Sequence, residues 1–405
     1  MRATNHHGKL IQKYRESQLG ISQEELGRRI GKSRRTIVKL EQQDFIEDIR
    51  LRRTLAWTLQ IPPQCLDLSE STLIQVPTYY PLAETGRLGE ANLGELETFL
   101  DNLRMRLDLY YLGSTLAADK NLDAHIQRLT QFAFTTSTSK EKNTVLSILS
   151  HNYQIKGMIT RDQLQLAAAE KCFREASLLA QQGESTELNA LAIGRLAGVH
   201  LIQCRLTQSN QNQSKAERQK QRHLNEALKL YEVAREISKH SPAVLRAYLA
   251  IGYAEVQGML SDTNCLTSLS EARRLMSEVD HEDDELLLSH STRCTERAIQ
   301  DCWSQCHALI GKTTNAIEYY EKLEEKLDLN MTRMRARLSI QYAEALYASK
   351  DLSCCFYLSE GWKLACSTQS LYNIRRSEVL AFKIAQNHPH DMRVKDLLQT
   401  LQGSL

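Results

Sequence analysis

The sequence predicts an all-α protein, in which an N-terminal five-helix domain precedes a long stack of helical hairpins. The first observation is the placement of proline, which interrupts helices. The six prolines stand at 62, 63, 77, 81, 242 and 389, so that residues 82–241 and 243–388 contain none. The second observation is the abundance there of Leu, Ala, Glu, Lys, Arg and Gln, which favour helix. The third is the near absence of strand patterns.

Residues 22–41 predict two short helices joined by a tight turn. Ser22 and Glu25 form an S-x-x-E capping box, which places the start of the first helix directly after the serine. Gly31 suits the left-handed conformation that ends this helix, and Ser33 can cap the second. The segment therefore predicts a helical hairpin with a tight turn and a defined start for its second helix.

The second helix of this hairpin has an apolar side and a cationic side. Ile37 and Leu40 lie three residues apart and are expected to face inward. A positively charged helix presented by such a turn fits the major groove of DNA. The alternative is an ordinary helical hairpin with a solvated basic face. The residues left on the outward side are Arg34, Arg35, Thr36 and Lys39.

Three further helices complete the predicted head, which spans residues 1–68. The first runs from Lys9 to Gln18, and the fourth follows the cationic helix. Pro63 can begin a last short helix that carries Leu66. The apolar positions at helical spacing are Leu10, Ile11 and Tyr14 in the first helix and Ile49, Leu51, Leu55 and Leu59 in the fourth.

These residues resemble the Cro/C1-type (XRE) helix-turn-helix family. The resemblance implies a regulator that binds double-stranded DNA, with Gln23 in contact with a phosphate or a base. Arginine suits base reading because its fork can bond guanine O6 and N7 together. The matching stretches are residues 20–26 (GISQEEL), 30–33 (IGKS), 36–37 (TI) and 40–41 (LE). The implied DNA contacts of the second helix are Ser33, Arg34, Arg35, Thr36 and Lys39.

Two departures from the family pattern concern a structural glutamate. Glu41 resembles the family's glutamate that pairs with an arginine of the first helix. Here Gln42 and Gln43 follow it, where the family usually has Asn or Gly. Arg15 also lies one residue farther from Gln23 than is usual, and this spacing argues against an Arg15–Glu41 pair.

The distribution of charge supports the prediction of DNA binding independently. Residues 1–60 contain 13 Lys and Arg against 7 Asp and Glu, a net charge of +6, whereas the remainder carries −4. A basic head on a slightly acidic body is expected if only the head approaches phosphates.

The remaining composition argues for a cytoplasmic protein without a membrane partner. Residues 1–7 are polar, no signal peptide follows, and nothing resembles a transmembrane segment. The ten cysteines are therefore expected to be reduced and to serve as small core residues.

The sequence offers no case for an enzyme, a cofactor or a metal. Two stretches end like a Walker A motif, but Leu26 and Cys306 stand where its first glycine is required. On one helix Cys294 and Cys302 would be about 12 Å apart, too far to share a zinc ion. Cys302 and Cys306 could still join ligands from elsewhere, although buried packing is the favoured interpretation. We therefore expect no catalytic residues and no resident metal.

After an irregular linker at 69–95, residues 96–402 predict a repetitive helical body. Small-then-aromatic patterns recur within amphipathic helices, and a second helix follows each, at 186–206, 242–260 and 332–348. The patterns resemble tetratricopeptide (TPR) repeats, whose spacing is shorter than here. A non-repetitive helical bundle is the alternative. The patterns are Ala169-x3-Phe173-x2-Ala176, Ala227-x3-Tyr231-x2-Ala234 and Ala316-x3-Tyr320.

Stacked helix pairs of this kind form a groove that receives an extended peptide or a partner helix. Exposed polar side chains on the inner helices would bind its backbone, although a solvated surface role is the more frequent one. The candidate ligand contacts are Asn189, Arg195, Arg246, Tyr253, Gln257, Arg337 and Gln341.

An XRE-type head on a TPR-like body resembles the RRNPP group of peptide-sensing, quorum-sensing regulators of Gram-positive bacteria. That resemblance implies a homodimeric, sequence-specific transcription regulator controlled by a peptide or protein ligand in the TPR-like groove. The alternative is a TPR interaction scaffold that recruits a protein partner, with DNA binding secondary or independent of any ligand.

Overall fold

The protein is helical throughout the part that the structure describes, which confirms the predicted all-α class. Its chain divides into two compact units, residues 1–86 and 87–405, which we call the head and the body. No helix in the described ranges is long and apolar enough to cross a membrane. This computed structural model describes residues 6–16, 20–30, 32–59, 61, 63–67, 91–135, 139–207, 213–278, 287–324 and 331–402.

The described residues of the head form four α-helices and a closing 3-10 helix, as the sequence predicts. They enclose one apolar core, built largely from one side of each helix. The helices are α1 (His7–Tyr14), α2 (Gln23–Arg29), α3 (Arg34–Glu41), α4 (Ile49–Leu59) and the 3-10 helix Pro63–Leu66. The core residues are Ile11, Leu26, Ile37, Leu40, Ile46, Leu55, Ala56, Leu59, Ile61 and Leu66.

The first helix differs from the prediction at both ends. It begins at His7 and ends at Tyr14, and a π-helical turn at Arg15 and Glu16 follows. Residues 17–19, which the sequence assigns to this helix, lie outside the described residues. The N–H groups of His7 and Gly8 donate to the carbonyls of Asp44 and Gln43, at 3.0 and 2.9 Å. A long-range contact thus decides where the helix starts.

The body contains the remaining helices. Its first one, α5, begins at Ala91, so the predicted linker of 69–95 ends within a helix. Residues 68–90 lie outside the described residues. The helices are α5 (Ala91–Tyr111), α6 (Thr115–Asp119), α7 (Leu122–Thr135), α8 (Ser139–Asp162), α9 (Leu166–Gln182), α10 (Thr186–Leu206), α11 (Gln213–Ile237), α12 (Ala243–Met259), α13 (Cys265–Met276), α14 (Leu288–Thr292), α15 (Glu296–Leu309), α16 (Thr313–Glu324), α17 (Thr332–Ala348), α18 (Cys354–Ser367), α19 (Leu371–Asn387) and α20 (Met392–Gln402).

Most of the body consists of successive helical hairpins. The predicted helices at 186–206, 242–260 and 332–348 are present, but each is the first member of its hairpin and not the second. The sequence could not settle this grouping, because each helix also packs on the hairpin before it. The hairpins are α8–α9, α10–α11, α12–α13, α15–α16, α17–α18 and α19–α20.

The first helices of the hairpins form a continuous inner layer. Each of α8, α10, α12, α15 and α17 packs along the first helix of the next hairpin. The last of them, α19, also packs on α8 and α10. The inner layer of the body therefore closes on itself, which the sequence did not predict.

Close packing between neighbouring helices, within a hairpin and between hairpins, explains the small-then-aromatic patterns. A Cβ atom added to Gly157 in α8 would lie 2.6 Å from the ring of Phe173 in α9. A Cβ atom on Gly252 in α12 would lie 2.3 Å from the Tyr231 hydroxyl oxygen in α11. Both aromatic rings are buried. Glycine is required opposite these rings because any side chain would overlap them.

Candidate nucleic-acid interface and inner-layer site

Two serine caps position the helices of the head's central hairpin. The Ser22 hydroxyl accepts a hydrogen bond from the Glu25 N–H at 3.1 Å, and Ser33 accepts one from the Thr36 N–H at 3.2 Å. Both caps were predicted from the sequence and are confirmed. Gly31, predicted to end the first helix, lies outside the described residues. The caps fix the first residues of α2 and α3, and the helical periodicity then determines which side chains of each helix face solvent.

The cationic helix α3 presents its basic side chains to solvent. Ile37 and Leu40 are buried in the head core, as expected from their spacing. Arg34, Arg35 and Lys39 are exposed, and no described carboxylate forms an ion pair with them. Three cations on one exposed helical face form a surface suited to a polyanion.

Two other predicted DNA-contact residues take part in contacts within the head. Thr36 is partly buried, and its hydroxyl lies 2.9 Å from the Ser33 hydroxyl, next to the cationic side chains. Gln23, at the start of α2, donates its side-chain amide to Glu41 Oε2 at 2.7 Å. The side-chain carbonyl oxygen of Gln23 is the group that could accept a hydrogen bond from a ligand.

Arg15 and Glu41 form an ion pair that ties the end of α1 to the end of α3. Arg15 Nε donates to Glu41 Oε1 at 2.6 Å, and both side chains are more than nine-tenths buried. The hydrogen bond to Glu41 outweighs burial and raises the pKa of Arg15. The spacing argument against this pair was wrong, because the π-helical turn at Arg15 and Glu16 absorbs the additional residue.

His7 is a structural residue of the head that sequence reasoning did not identify. It is fully buried, its Nδ1 accepts the Ile46 N–H at 3.1 Å, and its Nε2 lies 3.2 Å from Asp67. Burial lowers the pKa of His7, which favours the neutral ring that accepts at Nδ1 and donates at Nε2. No local pattern marks it, because its partners lie far along the chain.

In the body, the inner layer is held together by ion pairs between first helices, three of them between successive helices and one, Arg333–Asp162, between α17 and α8. Burial acts to raise the pKa of Glu255, but the guanidinium groups of Arg205, Arg337 and Arg376 outweigh it and hold this pKa below its usual value. The pairs are Arg205–Glu255 at 2.5 Å, Arg333–Asp162 at 2.8 Å, Arg376–Glu344 at 2.5 Å and Arg337–Asp301. These side chains come from all six first helices, so the interior of the layer is strongly polar.

Arg195 in α10 is the most buried of the candidate ligand contacts, with 1% of its surface exposed. Its Nη1 donates to Gln154 Oε1 at 2.8 Å, and its Nη2 donates to the Ser291 carbonyl at 2.6 Å. The Tyr111 hydroxyl donates to the same carbonyl. Burial raises the pKa of Tyr111 to about 12, so the hydroxyl keeps the proton that it donates. This cluster lies on the inner side of the body.

Three other candidates were expected to be exposed, and this expectation was wrong. Asn189, Gln257 and Gln341 are each less than a tenth exposed. They bond to Ser177, to Ser268 and to Gln305 respectively, in helices packed against their own. Their side chains join helices, because an inner-layer helix is covered by neighbours on both sides.

Arg246 and Tyr253 line a separate cleft of about 420 Å³ formed by α11, α12 and α13. The guanidinium of Arg235 lies 4.7 Å from the Tyr253 ring centre and pairs with Glu271 at 2.6 Å. The candidate ligand residues therefore do not form one site. The structure divides them between the inner layer, the contacts between helices, and this cleft.

Eight of the ten cysteines are buried in the body, whereas Cys65 packs partly buried against the head core and Cys366 is partly buried. Cys302 and Cys306 lie on α15 with their sulfur atoms 4.0 Å apart, and Cys294 precedes that helix. Within the described ranges, no group of three or more His, Cys, Asp or Glu side chains could bind a metal ion. The described cysteines are free thiols.

Comparison with known protein families supports the geometry of the head. The family model HTH_3, described as a helix-turn-helix, matches residues 11–44. That range contains the π-helical turn, both capped helices and the glutamate of the buried pair. No curated protein is a significant match to the chain. Residues 11–44 are therefore a helix-turn-helix unit of the XRE type, a kind of unit found in DNA-binding regulators.

Proposed function

We propose that the protein is a sequence-specific transcription regulator that reads DNA with α3 and is controlled by a peptide or protein ligand of the body. The observation that carries the proposal is the exposed face of α3, where Arg34, Arg35 and Lys39 have no described carboxylate partner. The helix-turn-helix match over the same residues supports it. Gln23, Ser33 and Thr36 complete the proposed contact surface.

The proposed regulator acts as a homodimer. A single small head covers few base pairs, and two heads joined by their bodies would read two half-sites about 34 Å apart. Sedimentation of the full chain measures the oligomeric state, and the spacing of protected half-sites measures the separation of the heads. A monomer that protects a single half-site would contradict this part of the proposal.

The DNA-binding experiment uses the full chain on sites selected from random duplexes. Footprinting is expected to show a discrete two-fold site. Because each bidentate arginine–base contact is worth about 1–3 kcal/mol, R34A/R35A should weaken binding on the order of a hundredfold or more and make it less salt-dependent. The control K140A/K142A removes two exposed lysines of the body and should leave binding unchanged. Equal binding by R34A/R35A would refute the assignment of α3.

The proposed ligand control is supported by the polar inner layer, where several arginines and carboxylates meet. The competing function is an interaction scaffold whose body recruits one protein partner. Only salt-sensitive, non-specific DNA binding, together with a stoichiometric partner, would favour that scaffold over the regulator.

A further inference from the structure

The short helix α14 belongs to none of the hairpins. It lies between α13 and α15 in the chain, yet it packs on α5 and α12. Ser291 is completely buried, and Leu287 and Leu288 are each 3% exposed. These two leucines belong to two different core clusters of the body. Residues 287–293, which we call the inserted segment, are thus seated among helices distant in the sequence.

The backbone of the inserted segment is bound as a peptide ligand would be. The Ser291 carbonyl accepts hydrogen bonds from Arg195 and from the Tyr111 hydroxyl. Arg195 also donates to the Ser291 hydroxyl at 2.8 Å. Hydrogen bonds to its main chain are one means by which a protein holds a peptide guest.

Arg195 is buried, and its described hydrogen-bond partners include no carboxylate. Its three hydrogen bonds go to an amide oxygen, a carbonyl and a hydroxyl, and its Nε has no described partner. Burying a guanidinium without a counter-charge is unfavourable. A carboxylate in the place of the Ser291 carbonyl would supply the missing charge and form shorter, stronger hydrogen bonds.

The inserted segment is held under backbone strain. Leu287 and Arg293, at its two ends, have left-handed φ angles of 51° and 47°, which residues with a Cβ atom rarely adopt. Burial of the leucines offsets this strain, as do the ion pair of Arg293 with Asp108 and the stacking of Arg293 over the Tyr111 ring. Release of the segment would relieve the strain and free the polar groups that bind it.

We propose that the inserted segment is a built-in occupant of a peptide-binding site formed by Arg195, Gln154 and Tyr111. The guest that replaces it is a short peptide that places a carboxylate, such as its free C-terminus, against Arg195. This inference rests on the proposed control of the regulator by a ligand of the body, and it names that ligand's chemistry and the chain segment that the ligand displaces.

The test weakens the attachment of the inserted segment by substitution and then measures whether an added peptide binds in its place. The full-length variant L287S/L288S/S291G removes the apolar anchors and the Ser291 hydroxyl. The probe is the synthetic peptide LLSHS, the sequence of residues 287–291, with a fluorophore at its N-terminus and either a free or an amidated C-terminus. By fluorescence anisotropy, the variant should bind the free-acid peptide at least tenfold more tightly than the wild type does, and at least tenfold more tightly than it binds the amide. Adding R195Q should abolish the difference between acid and amide. A folded variant that binds neither peptide, or both equally, overturns the proposal.

A milder variant keeps the proposal testable if the emptied protein does not fold. D108N weakens the attachment of Arg293 without altering the core. Exchange of the Ser291 and Arg293 amide hydrogens should accelerate about tenfold, and the free-acid peptide should bind more tightly than to the wild type. The control D123N weakens a different ion pair of the body, with Lys156, and should change neither measurement. Faster exchange without tighter peptide binding would contradict the inference.

DNA protection measured with and without the peptide separates this inference from the proposed function. Peptide binding that leaves the footprint unchanged would uphold the site and refute ligand control. A footprint lost in R34A/R35A has no bearing on whether the peptide binds.

Discussion

The arginines of the head's α3 and those of the body's inner layer differ in exposure and in pairing with carboxylates. On α3 of the head, Arg34 and Arg35 are exposed and have no described carboxylate partner, so their charge is available to an outside polyanion. In the inner layer of the body, Arg205 and Arg376 are paired with Glu255 and Glu344 on adjacent helices. The comparison teaches that exposure and pairing, more than residue type, separate a binding surface from a structural network.

Arg15 and Arg195 show that each region also contains its exception. Arg15 is a buried, paired arginine within the head, and Arg195 is a buried arginine of the body without a described carboxylate partner. The following substitutions test whether the two regions depend on their charges and packing in the ways described.

The largest effect is expected from E41A, which removes the buried carboxylate partner of Arg15 and leaves this arginine paired only with the exposed Glu16. Removing one member of a buried ion pair costs about 3–5 kcal/mol, a large share of the stability of a small domain. The head should lose its cooperative unfolding transition and its DNA binding, while the body transition is retained. Calorimetry and footprinting measure the two results. Retention of DNA binding at wild-type strength would show that the pair does not organise the interface.

A pH-dependent loss of stability is expected in the body from His125. Burial, with smaller contributions from Arg106 and Arg128, lowers the pKa of His125 to about 4. Since the unfolded chain binds the proton more readily, the stabilising effect is complete above pH about 6.5 and decreases by up to about 3 kcal/mol as the pH falls to about 4.

Denaturant unfolding at several pH values measures this effect. H125L should flatten the decrease between pH 7 and 4, and the control H390L, at an exposed histidine, should not. An unchanged pH profile in H125L would assign the acid sensitivity to other groups.

The packing of the hairpins is tested by G157A. The new methyl group would overlap the buried Phe173 ring, and we expect a net loss of about 1–2 kcal/mol after the gain in helix propensity. Calorimetry should show a lower body transition and an unchanged head transition. In the matched control G198A, the new methyl group meets only the Arg161 side chain, and stability should be retained or slightly increased.

The smallest effect is expected from removing single helix caps. S33A should destabilise the head by about 1 kcal/mol and weaken DNA binding, because α3 loses the hydrogen bond that orients its first turn. S185A removes the equivalent cap of α10 and should cost the body a similar amount without affecting DNA binding. Equal DNA binding by S33A and wild type would show that α3 is oriented by its buried face alone.

The head could be predicted in most of its details because its structure depends on local patterns. The serines at 22 and 33 cap the residues that follow them, and the spacing of Ile37 and Leu40 alone places Arg34 and Arg35 outside. The Arg15–Glu41 pair was missed because the π-helical turn rotates the Arg15 side chain relative to a regular α-helix. No local sequence pattern predicts that turn.

The inner layer of the body could be predicted only as helices. Asn189, Gln257 and Gln341 stand on helices that neighbours cover on more than one side, so polarity no longer indicates exposure. The site around Ser291 joins residues from α5, α8 and α10 to a segment about 100 residues beyond Arg195 in the chain.

The sequence by itself determined the all-α class, the capped helix pair and the basic side of α3, because these depend on the conformation and periodicity of adjacent residues. Only the tertiary structure decided that α19 returns to α8 and α10, that the inner arginines find carboxylates, and that residues 287–293 lie against Arg195. These outcomes depend on contacts between residues far apart in the chain, which the local pattern of adjacent residues does not encode.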